Sequence, residues 1–222
     1  MPARTRAQRL GRILRGSLAI VLIVSAALGL GPREAWATGP TDALKGSIDR
    51  ALMVLTDKAL QADEKRIERR RKLEQIVSHR FSYEELTKRV LGGRWHKLSE
   101  GERKEVVELF RDLLIKTYAD RVEAYSGEPV QYLSERVEKV REVEYAEVRT
   151  KAKVGNADVP IDYRLIKLSN GWQVYDVVID EISLVSNYRS QFKKILATGS
   201  YQDLVDQLRK KSDRLSASAS PQ

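Results

Sequence analysis

The chain has 222 residues, with 40 Lys and Arg against 31 Asp and Glu, a formal net charge of +9, no Cys and two His, His79 and His96. Without Cys there is no disulfide scaffold, thiolate metal site, cysteine nucleophile or Cys-linked lipid anchor, and two imidazoles are too few for a histidine-rich metal centre. A hydrophobic content of 42% with 32% charged residues suits one folded domain with a polar surface.

The excess charge is concentrated at the start. Arg4, Arg6, Arg9, Arg12 and Arg15 form a positive stretch without an acidic residue, and Ser17 to Leu30 is an uncharged, mostly apolar run of 14. Ala35-Trp36-Ala37 follows as a small-x-small cleavage pattern. This three-part layout predicts a cleaved secretory signal over 1–37. The apolar run is shorter than the roughly 20 residues of a membrane span, and the absence of an adjacent Arg pair argues against the twin-arginine route. Residues 1–37 carry six Arg and one Glu, a net of +5, so +4 remains on residues 38–222. The basic balance is mainly an export feature, and no nucleic-acid partner is expected.

From Thr41 to about Gln61, Leu44, Ile48, Leu52, Leu55 and Leu60 recur at helical spacing. Asp63 to His79 is a charged helix with a thin apolar face of Ile67, Leu73, Ile76 and Val77. Its cations, Arg69 to Arg71 among them, read as a solvated face or as a patch for anionic headgroups or an acidic partner. Ser82 to Glu85 and Ser99 to Glu102 are capping boxes. The first opens a helix stopped by Gly92-Gly93. The second opens the longest helix, Glu100 to about Tyr125, whose apolar residues include Val106, Phe110, Leu113, Leu114, Tyr118 and Val122.

After Pro129 the period changes from 3.6 to 2. Four strands are expected as an antiparallel meander within 129–180, with turns at Gly155-Asn156 and Asn170-Gly171, the latter of type I′. In the last strand Trp172, Val174 and Val178 are expected on one face and Tyr175, Val177 and Ile179 on the other. Two helices follow within 183–212, capped by Ser183 and Ser200, and a disordered tail is expected over 216–222. The order predicts α+β, with about six helices packed on a four-stranded sheet in a single domain over 38–215, helical over 38–127.

Catalytic motifs are missing: there is no Gly-rich phosphate loop and no GxSxG elbow. His79 and His96 read as surface residues. Asp176 and Asp180, four apart on one strand, are the one candidate carboxylate pair for acid–base work, and local hydrogen bonding is the simpler account of both. Trp95 and Trp172 read as core packing rather than a stacking platform. No cofactor and no metal are expected. The conspicuous asset is an excess of apolar faces, which either fill one another or leave an apolar cavity.

Four segments in order over about 81–210 carry a resemblance: Val90-Leu91-Gly92 followed by Trp95; Phe110-Arg111 with Tyr118; Trp172-Gln-Val-Tyr-Asp-Val-Val178; and Ser183-Leu184-Val185 through Asn187-Tyr188-Arg189 to Phe192. Together they resemble the MlaC (toluene-tolerance) family of Gram-negative periplasmic proteins, auxiliary to an ABC transporter of phospholipids. The resemblance implies a sheet similar to that of nuclear-transport factor 2, packed with helices around an apolar pocket. It implies a non-enzymatic carrier, with phospholipid as cargo. It implies two partners, an outer-membrane lipoprotein complex of the MlaA type and an inner-membrane ABC transporter with an MCE-domain protein. A monomer maintaining outer-membrane lipid asymmetry is the corresponding expectation. The inward residues proposed to touch acyl chains are Leu91, Phe110, Leu114, Tyr118, Val122, Ile161, Tyr163, Leu165, Val178, Ile182 and Leu184. Tyr118, Ile161 and Ile182 are expected to converge on one mouth, while Asn187, Tyr188 and Arg189 read as polar anchors of the last helices. The alternatives are an enzyme of related fold with Asp176 or Asp180 as base, and an adaptor that binds or senses a partner or small apolar ligand.

Overall fold

A computed structural model describes residues 39–219; the expected export signal and residues 220–222 lie outside the described residues. The chain opens with α1 (Pro40–Thr56), α2 (Arg66–Arg80), α3 (Tyr83–Leu91) and α4 (Glu100–Glu123). The sheet follows as β1 (Gln131–Val140), β2 (Val143–Val154), β3 (Ala157–Leu168), β4 (Gly171–Ile179) and β5 (Ile182–Ser183), and α5 (Leu184–Thr198) and α6 (Tyr201–Ala219) close the chain. The α+β expectation holds. The sheet is antiparallel in the order β1-β2-β3-β4-β5, with one short strand more than the four expected.

The helix starts follow their capping chemistry. Pro40 stands in the first turn of α1, where a missing N–H costs nothing. Ser82 Oγ accepts from the Glu85 N–H, and Ser99 and Glu102 form a complete reciprocal box. Ser183 Oγ accepts from the Ser186 N–H to open α5. The first helix stops at Thr56, earlier than its apolar periodicity suggests, because Asp57 turns extended and its side chain accepts from the Ala59 N–H. The last helix runs on to Ala219, through residues expected to begin a disordered tail. Ser212, on its inner side, is buried, and its hydroxyl is held between Lys116 and Asp112 of α4.

Two apolar clusters form the core. The helical cluster gathers Leu86, Val90, Leu91, Trp95, Val106, Phe110, Leu113 and Leu114 with residues of α5 and α6. The sheet cluster joins Ala43 and Leu44 of α1 to Ala146, Val148, Leu165, Trp172, Val174 and Val177. Phe81 packs against both. The Ser82 N–H donates to the Val174 carbonyl at 2.9 Å, which ties the start of α3 to β4.

The faces of β4 differ from simple alternation. The register slips between Arg164, opposite Asp176, and Leu165, opposite Val174, so Tyr175 is an extra residue. A bulge reverses the parity of everything beyond it. Trp172, Val174, Val177 and Ile179 therefore share the inner face with the sheet cluster, and Val178 points the other way beside Asp176. The corner after β3 also departs from type I′. Its positive φ falls on Gly171 (99°) and not on Asn170. Two consecutive left-handed residues occur instead at Asp180 (φ 47°) and Glu181 (φ 65°), the turn between β4 and β5.

Candidate functional site

One rung of paired residues crosses the whole inner face. Tyr132 lies opposite Thr150, Thr150 opposite Ile161, Ile161 opposite Ile179, and Ile179 opposite Ile182. Directly paired residues point to the same face of a sheet. Five side chains from five strands thus form a row about 19 Å long, taking four inter-strand spacings. The next rung carries Glu135, Val148, Tyr163 and Val177.

This part of the inner face is apolar but not closed. Ile48, Tyr132, Ile161, Tyr163, Ile179 and Leu184 pack against the sheet cluster and all keep accessible surface. Ile182 is 62% exposed. Toward Leu165 and Trp172 the same face is sealed under Ala43 and Leu44 of α1. Burial pushes the Tyr163 hydroxyl up to about 12, although its side chain is only partly shielded from solvent. Burial also raises Tyr132 well above the usual phenol range, with Tyr163 and Asp49 adding to the effect. Thr150 donates to the Ile161 carbonyl at 2.7 Å, whereas the buried Tyr132 hydroxyl has no hydrogen-bond partner. Tyr125, close enough to influence Tyr163, donates to the Glu128 carbonyl at 2.7 Å.

The residues expected to line a pocket divide among three settings. Ile161, Tyr163 and Leu184 lie on the partly open inner face, and Ile182 stands in the same rung as Ile161. Leu91, Phe110 and Leu114 are closed core of the helical cluster, and Leu165 is closed core of the sheet cluster. Tyr118 packs on the helical side, its hydroxyl near that of Tyr188, so the expected meeting of Tyr118 with Ile161 and Ile182 is not what its contacts show. Val122 is half-buried near the end of α4. Val178 is on the opposite face because of the bulge at Tyr175. Sequence reasoning missed Tyr132, Ile179 and Ile48. Tyr132 was the one available signal in β1, an aromatic in a strand otherwise made of charged and exposed residues.

The rival sites lose their chemistry. Asp176 is 1% exposed, accepts from Ser183 Oγ at 2.7 Å and the Val185 N–H at 3.0 Å, and pairs with Arg164 at 3.0 Å. It fixes the start of α5 and has little capacity left to act as a base. Asp180 sits in the exposed turn, so the expected carboxylate pair is not assembled. The cationic run of α2 is not a free patch. Arg69 pairs with Glu123 at 3.2 Å, Arg70 with Glu123 at 2.6 Å and also with Asp120, and Arg66 with Asp120 at 3.4 Å. His79 and His96 are exposed, and Trp95 and Trp172 are buried packing. Among the described residues no cluster of His, Asp and Glu is placed to hold a metal, and no helix is long and apolar enough to cross a membrane.

Two surface concavities lie away from this face, and of the expected residues Leu91 alone borders one of them. One of about 290 Å³ is bordered by Glu128, Gln131, Lys151, Lys153 and Asp158. The other, about 180 Å³, lies between Leu91, Arg94, Arg189 and Phe192. Both are below the usual range for drug-sized ligands, about 300–1,000 Å³.

Comparison with known proteins agrees with the geometry. The family model described as MlaC protein matches residues 45–210. Among solved structures, a phospholipid-binding protein from Ralstonia solanacearum, determined in complex with a phospholipid, is similar with a TM-score of 0.67 and 25% sequence identity. The match covers 78% of this chain and 97% of that one. No curated protein matches the chain. With the family model spanning most of its length, the chain belongs to the MlaC family.

Proposed function

We propose that this protein is a periplasmic phospholipid carrier, which takes the acyl chains of its cargo against the partly open inner face and delivers the lipid between membranes. The observation that carries the reading is the Tyr132–Thr150–Ile161–Ile179–Ile182 rung, an apolar row with accessible surface inside a family whose solved relative binds phospholipid. Each buried methylene is worth about 0.8 kcal/mol, so a two-chain lipid leaves a bilayer at useful rates only if its chains are shielded. A carrier needs walls for this, not catalytic groups. The expected export signal sets the compartment. Transfer between an outer-membrane lipoprotein complex of the MlaA type and an inner-membrane ABC transporter with an MCE-domain protein, in support of outer-membrane lipid asymmetry, is the corresponding role.

The two described concavities are too small for such a cargo. Loading therefore has to widen the partly open inner face around Ile161, Tyr163 and Ile179. Native mass spectrometry of the purified protein tests the proposal. Copurified phospholipid, retained by the parent and lost in Ile161→Glu with the fold intact, is the expected result. A protein that stays empty after incubation with phospholipid vesicles would overturn it.

A further inference from the structure

The Tyr132 hydroxyl is the one polar group of the five-residue rung without a partner, since Thr150 is satisfied by the Ile161 carbonyl. A buried unpaired hydroxyl is costly to a fold. Replacing it by a hydrogen would cost the ligand-free protein nothing, which points to an acceptor arriving with the ligand. Asp49, whose charge reaches Tyr132, is engaged with Lys45 at 2.7 Å. Tyr163 lies close by on the inner face. On a phospholipid the main acceptors open to a phenol O–H are the anionic phosphate oxygens and the ester carbonyls.

The surroundings select between those two acceptors. Asp49 is near Tyr132, and Glu135, bonded through its carboxylate to the Thr41 N–H at 2.8 Å, lies in the adjacent rung. Two carboxylates and a row of isoleucines disfavour a phosphate, which needs cations or several donors. They tolerate a neutral ester carbonyl, the group that joins the apolar chains to the polar part of a glycerolipid. We propose that Tyr132, seconded by Tyr163, donates a hydrogen bond to an acyl-ester carbonyl of the bound lipid, so that the carrier prefers ester-linked over ether-linked chains. This rests on the lipid-carrier reading above and adds a specificity residue to it.

The experiment is competitive loading of the delipidated protein from vesicles of diacyl phosphatidylethanolamine and of its dialkyl ether analogue. The parent protein should favour the ester lipid by roughly three- to tenfold, the range of one net hydrogen bond. Tyr132→Phe should erase the preference by weakening ester binding alone, with thermal stability unchanged or raised because no protein partner is lost. Equal affinity of the parent for both lipids would overturn the inference while leaving the carrier reading intact. So would a preference that survives in Tyr132→Phe, or a variant that is destabilised and loses both lipids alike. Uptake of neither lipid by the parent would overturn the carrier reading itself.

Discussion

The helical cluster and the sheet cluster are built from similar residues but finished differently. In the helical cluster Phe110 is fully buried, its ring 4.8 Å from that of Tyr188 and 5.0 Å from that of Phe192, in tilted and edge-on contacts. Its partly exposed members, Val107 and Leu109 among them, are spread along the outer faces of its helices, and the Tyr201 hydroxyl donates to the Glu102 carbonyl at 2.8 Å. The sheet cluster is equally tight under α1 but ends in a rim of Ile161, Tyr163, Ile179 and Leu184, with an unpaired phenol beside them. The contrast separates two uses of apolar surface. One side holds the fold together, and the other keeps area in reserve.

Substitution should split the two uses. Phe110→Ala removes a closed ring and should cost about 3–5 kcal/mol in denaturant unfolding, with any effect on lipid loading following from the lost stability. Ile161→Ala should cost stability much less and lower retention of lipid more. A Phe110→Ala variant of parent stability, or an Ile161→Ala variant as destabilised as it, would erase the distinction. Next in size is Asp176→Ala. It strands the Ser183 hydroxyl and the Val185 N–H and leaves Arg164 only its longer contact with Glu147 at 3.7 Å, which should cost about 2–3 kcal/mol. Full stability in that variant, measured by thermal melting, would show that the anchor of α5 lies elsewhere. The smallest expected change is a gain. Glu181 holds a left-handed conformation, and Glu181→Gly gives the turn the Asp-Gly pair that two-residue hairpins favour. A rise of about 0.5–1 kcal/mol is expected, and a fall would mean that the turn carries no strain.

Much of this was legible from residue order. The serine cap at Ser82, the full capping box at Ser99, the period change after Pro129 and the α+β class all follow from local chemistry, which neighbours in sequence decide. The candidate site was legible in part. Ile161, Tyr163 and Leu184 were recognisable as apolar residues at the right period, yet whether each is closed core or open rim depends on which helix lies across it. Val178 was misplaced because alternation assumes an unbroken ladder, and a bulge at Tyr175 leaves no mark in composition. The pairing of Arg66, Arg69 and Arg70 with Asp120 and Glu123 was invisible for a similar reason, since 50 or more residues separate the partners.

Both attachments of the neighbouring helices fall on one strand. The Ser82 N–H is bonded to the Val174 carbonyl, and the Val185 N–H to the Asp176 carboxylate, so α3 and α5 are each fastened to β4 at their first turns. α5 is held at its far end as well, where the Arg94 side chain donates to the Leu196 carbonyl at 2.7 Å. The 15 residues of α5 extend about 22 Å at 1.5 Å per residue. A tilt of about 10° at the β4 anchor would carry the far end about 4 Å, more than that hydrogen bond can follow. Pinned at both ends, α5 acts as a strut that keeps the back of β4 rigid while the opposite face of the strand stays free to receive a ligand.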